Sequence, residues 1–453
     1  MSQSPQRENK IGTAPIFPLI LKMGLPLMIS MLIQAMYNLV DSVFVSMVSE
    51  NAFTAVSLAF PLQNLMIAVA AGTGVGVAAL TSRHLGEGNH HSALVVARQG
   101  LFLAFCGSVV FAIIGLFAMD AFFGFQTSDP EILTYGIQYG SICCMVSMGL
   151  NFGITCERLL QATGRTMLSM CVQGVGAIVN IILDPILIFG LLGFPAMGVA
   201  GAAIATVTGQ VCSMILGLYF CLRKNPELPL TAKGFHPQLP VIRRIYIIGI
   251  PAIIAQGIGS VMVYAMNFIL IGFTSTATAV FGAYFKLMSF ASMPVFGLNN
   301  AIIPVVGYNY GAKKPERIGQ AFRAGWTIAS CFLGLGCFAF MVFPTQLLGF
   351  FSPSDYMLSI GVPALRIMSL SFIPAAFCIS CMALFQGLGK AMYSTTCSAV
   401  RQLVVLVPVA YLLSLSGDLG LVWWAIPIAE IFSIACAVFF LNRVWKKFVV
   451  PAA

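Results

Sequence analysis

Asn180-Ile181-Ile182-Leu183-Asp184-Pro185 sets an amide, a carboxylate and a proline inside an apolar run from about residue 165 to about residue 190. A helix of that length crosses a bilayer. A carboxylate held at such depth is costly to keep out of water, so its first reading is a site for an ion, a proton or a substrate. One other acid sits in the same kind of surroundings: Asp41, in Leu39-Val40-Asp41-Ser42 of the first apolar segment.

Outward from this stretch the chain repeats the same pattern. Of its 453 residues 59% are hydrophobic and 8% charged, whereas soluble domains carry about 25% charged residues. Hydropathy gives an all-α integral membrane protein with about twelve transmembrane helices. The fourth is expected at roughly 131–156 and the tenth at roughly 356–384, each as one span. The polar start, Met1 to Lys10, lacks the short apolar region and cleavage site of a signal peptide, so the first span is expected to be retained.

A net charge of +9 invites a nucleic-acid reading, but the placement of the basic residues argues against it. They fall in connections after even-numbered spans, among them Arg83, Arg158, Arg165, Arg223, Lys224, Lys233, Arg243, Arg244, Lys313, Lys314, Arg317 and Lys390. The tails add Arg7, Lys10, Arg443, Lys446 and Lys447. The other connections hold acids only: Glu50, Asp120, Asp129, Asp355 and Asp418. Both termini are therefore expected on the cytoplasmic side of a bacterial or archaeal plasma (inner) membrane. All 13 cysteines lie in or beside apolar segments and read as buried free thiols.

The chain also repeats internally. An offset of 225 residues pairs Gly24-Leu25-Pro26 with Gly249-Ile250-Pro251, Gly86 with Gly311, Arg98 with Arg323, Gln161 with Gln386, and Gly164 with Gly389. A gapless offset of that length signals duplication. The expected organisation is an N-lobe over 1–222, a cytoplasmic linker over 223–242 and a C-lobe over 243–453. These form two parallel six-helix repeats around a central cavity. Under the same offset Asp41 meets Met266 and Asp184 meets Val409, so the carboxylates belong to the first repeat alone.

Ser30, Gln34, Asn38 and Asp41 recur at helical spacing as a polar stripe on the first span. Gln173, Asn180 and Asp184 make a second stripe on the fifth. Each faces protein or water rather than lipid, either as a site or as a hydrogen-bonded seam between helices. Desolvation disfavours a charged carboxylate and a neighbouring acid disfavours it further, a setting for proton uptake and release. The candidate coupling residues are thus Asp41, Asp184 and Asn180. Candidate cavity residues are Gln34, Tyr37, Asn38, Gln63, Asn64, Gln256, Tyr264 and Lys286, with Pro26 as a hinge. Gln256, Ser260 and Asn267 form a weaker stripe on the seventh span. In the second repeat Lys286, Arg366, Arg401 and Glu430 are charged residues inside apolar segments, expected either to pair internally, Glu430 with Arg401 or Lys286, or to line an anion-attracting cavity.

Other motifs carry less. Gly72-Thr73-Gly74-Val75-Gly76 follows no strand, so close helix packing explains it better than phosphate binding. Cys378-Ile379-Ser380-Cys381 has redox-motif spacing but lies in an apolar span. His84, His90, His91 and His236 fall in the predicted connections, and no metalloprotease, serine-hydrolase or nucleotide-binding pattern is present.

With two repeats, Asp41 in the first helix and Asn180 to Pro185 in the fifth, the chain resembles the multidrug and toxic compound extrusion (MATE) transporters over nearly its whole length. Gln161-Ala162-Thr163-Gly164-Arg165 and Gly198-Val199-Ala200-Gly201-Ala202-Ala203-Ile204-Ala205-Thr206 are similar to family patterns. Within the family it is most like the branch of the DNA-damage-inducible F protein, and it lacks the acids that another branch carries in helices seven and ten. The resemblance implies a secondary active antiporter that exports amphipathic, often cationic small molecules against H⁺, with Na⁺ at Asp41, Asn180 and Asp184 as the alternative. It implies no enzyme activity, no cofactor beyond the coupling ion, no nucleic-acid partner, and a monomer in the lipid bilayer. Two rival readings are a flippase of lipid-linked oligosaccharides using Lys286, Arg366 and Arg401, and a membrane-embedded lipid enzyme.

Overall fold

In the second span Ser49 adopts an extended conformation, φ −167° and ψ 163°, and its side chain accepts the Ala52 N–H; at the matching point of the second repeat Thr274 does the same for Ala277. Each hydroxyl satisfies one of the orphan donors of a helix start. The duplication is thus visible at the level of single caps. The computed structural model describes residues 10–231, 235–351 and 353–450. Of the basic residues used to orient the chain, Arg7 and Lys233 lie outside them.

Helix borders obey the offset closely. Glu50–Gly86 and Ser275–Gly311 each have 37 residues, and His90–Phe117 and Pro315–Val342 each have 28. Thr166–Phe189 and Ala391–Ser414 each have 24. Among the described residues ten helices are long and apolar enough to cross a membrane, and two bent pairs bring the total to 12. Those pairs are the expected fourth and tenth spans, which are not continuous rods. Pro130–Met145 meets Met148–Ala162 at 47°, and Asp355–Ser369 meets Phe372–Gly387 at 45°.

Contacts divide the chain into two compact units, one being Ile29–Ile250 and the other everything described before and after it. The divide does not follow the linker. It runs through the first span just past Pro26 and through the seventh at Pro251.

In the Ile29–Ile250 unit, the chain entering the seventh span is held by Gln99, whose amide donates to the His236 carbonyl at 2.8 Å, and by Phe102 against Phe235. Deeper in, Gly76 faces the Ile245 carbonyl and Gly249 rests on Gly72. Close packing is therefore what the glycine run of the second span provides. Arg158, expected in a connection, lies within Met148–Ala162, its stem over Gly74 and its guanidinium on Gln161. His84, His90 and His91 likewise belong to helix ends.

The other unit repeats the arrangement. Arg317 donates to the carbonyls of Ile11 and Ala14 at 2.9 and 2.8 Å and to Asn309 Oδ1 at 2.9 Å, while Lys314 Nζ reaches the Gly12 carbonyl. Ile11 and His236 are again 225 residues apart. Arg317→Leu removes three charge-assisted bonds, and is expected to cost about 2–3 kcal/mol. A thermal-shift assay in detergent, with faster amide exchange over residues 10–14, reads the loss.

The eleventh span breaks the symmetry. Its residues Val400–Leu406 are π-helical, whereas the fifth span is α-helical from Thr166 to Phe189. A π turn carries about one residue more than an α turn. Val409 therefore does not face where Asp184 faces, although the numbering makes them equivalent.

Candidate functional site

Three helices of the Ile29–Ile250 unit build the site: the first span with Tyr37 and Asp41, the fifth with Asn180 and Asp184, and the sixth with Thr206. Asp41 is 8% exposed, Asn180 2% and Asp184 0%. The carboxyl groups of Asp41 and Asp184 lie within hydrogen-bonding reach of each other. Asn180 Nδ2 donates to Asp184 Oδ1 at 3.4 Å and to Thr206 Oγ1 at 3.3 Å. The Tyr37 hydroxyl lies beside Thr206.

Local sequence explains why these groups converge. Asn180 and Asp184 are four residues apart and share a helix face. Pro185 removes one backbone donor and so leaves the Ile181 carbonyl without its usual partner. The sixth span comes close because it offers small residues: a side chain at Gly209 would strike the Gly176 carbonyl, and one at Gly201 the Leu187 carbonyl.

Hydrogen bonds among the described residues leave three oxygens over. Asp41 Oδ1, Asp184 Oδ2 and Asn180 Oδ1 are buried without a partner. Buried polar groups are almost always satisfied, so three acceptors in one place that no protein donor reaches mark a site for a group that donates or ligates.

Other predicted residues are placed around or away from this centre. Gln34 is half-buried, accepts from Gln173 at 3.0 Å and donates to Asn38 at 3.3 Å, so the two polar stripes join through a pair of amides. Asn38 itself is exposed and Asn64 half-buried. Gln63 donates to the Tyr139 hydroxyl at 2.9 Å, and both lie beside Cys143. Sequence reasoning missed Thr206 and Tyr139 as site residues. Pro26 and Pro251 both lie inside continuous helices.

The remaining predicted cavity residues belong to the other unit. Gln256, Tyr264 and Lys286 are exposed, and Tyr264 lines an apolar groove of about 480 Å³ with Phe268, Val407, Pro408 and Tyr411. Met266, opposite Asp41 in the repeat, is fully buried. Of the two partners expected for Glu430, the structure gives Arg401, at 3.1 Å. Arg366 is exposed and donates to the Met341 carbonyl. No group of three or more His, Cys, Asp or Glu residues with metal-binding geometry occurs among the described residues.

An all-helical, multi-pass, duplicated membrane protein with a buried carboxylate pair is the build of a transporter, not of an enzyme. The sequence profile of the MatE family matches residues 26–186 and 251–412, and the chain belongs to that family of multidrug-extrusion transporters. It is 25% identical over 443 residues to the multidrug export protein MepA of Staphylococcus haemolyticus, covering 97% of this chain and 96% of that one. It is 27% identical to the probable multidrug resistance protein NorM of Thermotoga maritima, covering 94% and 93%. A protein of Shewanella oneidensis named FAD transporter is also 27% identical, with 94% of each chain covered. Among solved structures, an outward-facing multidrug resistance MATE family transporter superposes with a TM-score of 0.91 at 26% identity, covering 98% of this chain and all of the other. A transporter from Pyrococcus furiosus, whose structure is described as having a binding pocket of reverse polarity, also gives 0.91 at 25% identity, covering 98% of this chain and 100% of that one.

Proposed function

We propose that the protein is a secondary active exporter that couples inward movement of H⁺ through Asp41 and Asp184 to outward movement of amphipathic, cationic organic molecules. The observation that carries this reading is the meeting of two buried carboxyl groups, flanked by Asn180, with unfilled oxygens on all three. Two ionised carboxylates at that separation repel strongly, and one proton between them removes the repulsion. A single proton is enough to remove that repulsion, whereas a hard cation would draw on about six oxygens, so the proton leads and Na⁺ is the alternative. The coupling groups lie within one unit, and Asn180 ties the fifth span to Thr206 of the sixth beside them. Both termini face the cytoplasm in this reading, and the protein works as a monomer.

Ethidium efflux from proteoliposomes tests it. A pH gradient imposed without Na⁺ is expected to drive export, and a Na⁺ gradient at equal pH to drive none. Export driven by Na⁺ alone would move the ion assignment, and export driven by neither would sink the antiport reading. Because one relative is named an FAD transporter, a flavin dinucleotide belongs in the same assay as the anionic substrate, against the exposed Lys286 and Arg366.

A further inference from the structure

A polar cluster outside the carboxylate site lies where the eleventh and twelfth spans pack in antiparallel register beside the tenth. Arg401 Nη1 meets Glu430 Oε1 at 3.1 Å. One turn away Ser433 Oγ donates to Cys378 Sγ at 3.2 Å, and at the next level Cys397 Sγ lies 3.6 Å from Cys436 Sγ. Cys397 and Arg401 are four residues apart and share a face of the eleventh span, as Glu430 and Ser433 share one of the twelfth. Cys397 lies three residues before the π-helical stretch Val400–Leu406 that carries Arg401.

Not every cysteine is buried as the sequence led us to expect. Cys331 is exposed, and Cys436 is half-exposed while Cys397 is buried. The pair therefore joins a sheltered thiol to one that a small reagent can reach. Cys378 is already engaged by Ser433, and Cys221, beside the Cys156 thiol, donates to the Cys156 carbonyl. Cys397 and Cys436 have sulfurs 3.6 Å apart, in direct contact with each other.

We propose that Cys397 and Cys436 form an oxidisable dithiol whose closure to a disulfide clamps the eleventh span to the twelfth at the edge of the π-helical segment. Closure shortens the sulfur separation by about 1.5 Å. Both S–H bonds break, one S–S bond forms, and two protons and two electrons pass to a two-electron acceptor such as an azodicarboxamide, whose N=N bond becomes HN–NH. The bridge fixes the turn before Arg401, so the π-helical segment loses freedom to change register against Glu430. Oxidised protein would then be held in one arrangement of the second repeat, and a dithiol reductant would release it.

The test uses the full chain in proteoliposomes treated with diamide. Non-reducing peptide mapping is expected to recover a Cys397–Cys436 cross-linked peptide that dithiothreitol removes and Cys436→Ser abolishes. Amide exchange over residues 397–406 should slow in the oxidised parent and not in Cys436→Ser. Gradient-driven ethidium efflux should be lost on oxidation of the parent, restored by reduction, and insensitive to diamide in both Cys436→Ser and Cys397→Ser. Full alkylation of both thiols after diamide, or a Cys378–Cys381 bridge in their place, would refute the pairing. A bridged protein with unchanged exchange and unchanged efflux would refute the clamp. Mapping and exchange do not depend on ethidium being a substrate, so they stand apart from the antiport reading.

Discussion

Asp41→Asn and Asp184→Asn are each expected to bring gradient-driven ethidium export down to the level of protein-free vesicles while raising thermal stability in detergent. Each replaces a buried acid, one of whose oxygens has no partner, by a neutral side chain of the same shape. Relieving the burial of a polar, ionisable group without full hydrogen bonding is worth about 1–2 kcal/mol here. Gain of stability with loss of function is the mark of a site kept at a cost to the fold. The double variant should transport no worse than either single one, because the two carboxyls act as one unit. Asn180→Leu, which removes the amide between Asp184 and Thr206, should weaken export and also destabilise the protein, leaving the Thr206 hydroxyl without that partner. Half-retained, still gradient-driven export in Asp41→Asn would move the coupling elsewhere, with Glu430 the next acid to examine.

Asp41, Asn180 and Asp184 were legible in the sequence because a carboxylate in an apolar span has no cheap structural explanation. Thr206 was not, since a hydroxyl in a membrane helix ordinarily bonds the carbonyl four residues back and carries no signal of its own. Tyr139 was hidden for the opposite reason: it is 1% exposed and packs in the core with Phe123, so its aromatic body masks the hydroxyl that meets Gln63. The twofold repeat could be read from glycines and prolines, and it extends further than they show. Gln161 bonds Ser169 at 3.0 Å and Gln386 bonds Ser394 at 3.2 Å, pinning the close of one span to the start of the next in both repeats. What the offset could not convey is the phase of a helix. The π-helical stretch at Val400–Leu406 has no residue signature, and the break near Val146-Ser147 contains no proline, whereas the one near Leu370-Ser371 is followed by Pro374, which offers no N–H to the Leu370 carbonyl. The Arg401–Glu430 pair stood among the options, whereas the thiol pair beside it depended on knowing which helices are neighbours.

Gly297→Leu is expected to abolish folded protein, and Gly297→Ala to lower stability by about 3 kcal/mol or more, above the usual range for overpacking. A Cβ there would overlap the Leu27 carbonyl oxygen, with the Leu27 carbonyl carbon at 2.7 Å and the Met28 Cα at 2.8 Å. These are backbone atoms of a continuous helix, Ile16–Ser46, so no rotamer change makes room and the two helices must part. Separation would also strip the contacts of Gly24, where an added Cβ would lie 2.7 Å from Leu298 Cδ1. Gly334→Ala is the control: it lies inside Pro315–Val342 with nothing within 4 Å of an added Cβ. There the substitution should be neutral or stabilising by about 0.5–1 kcal/mol through helix propensity alone. Fluorescence-detected size exclusion and thermal shift read both. A Gly297→Ala protein as stable as the parent would mean that the first and eighth spans do not pack backbone to backbone. The close approach of Gly24 to Leu298 would fall with it.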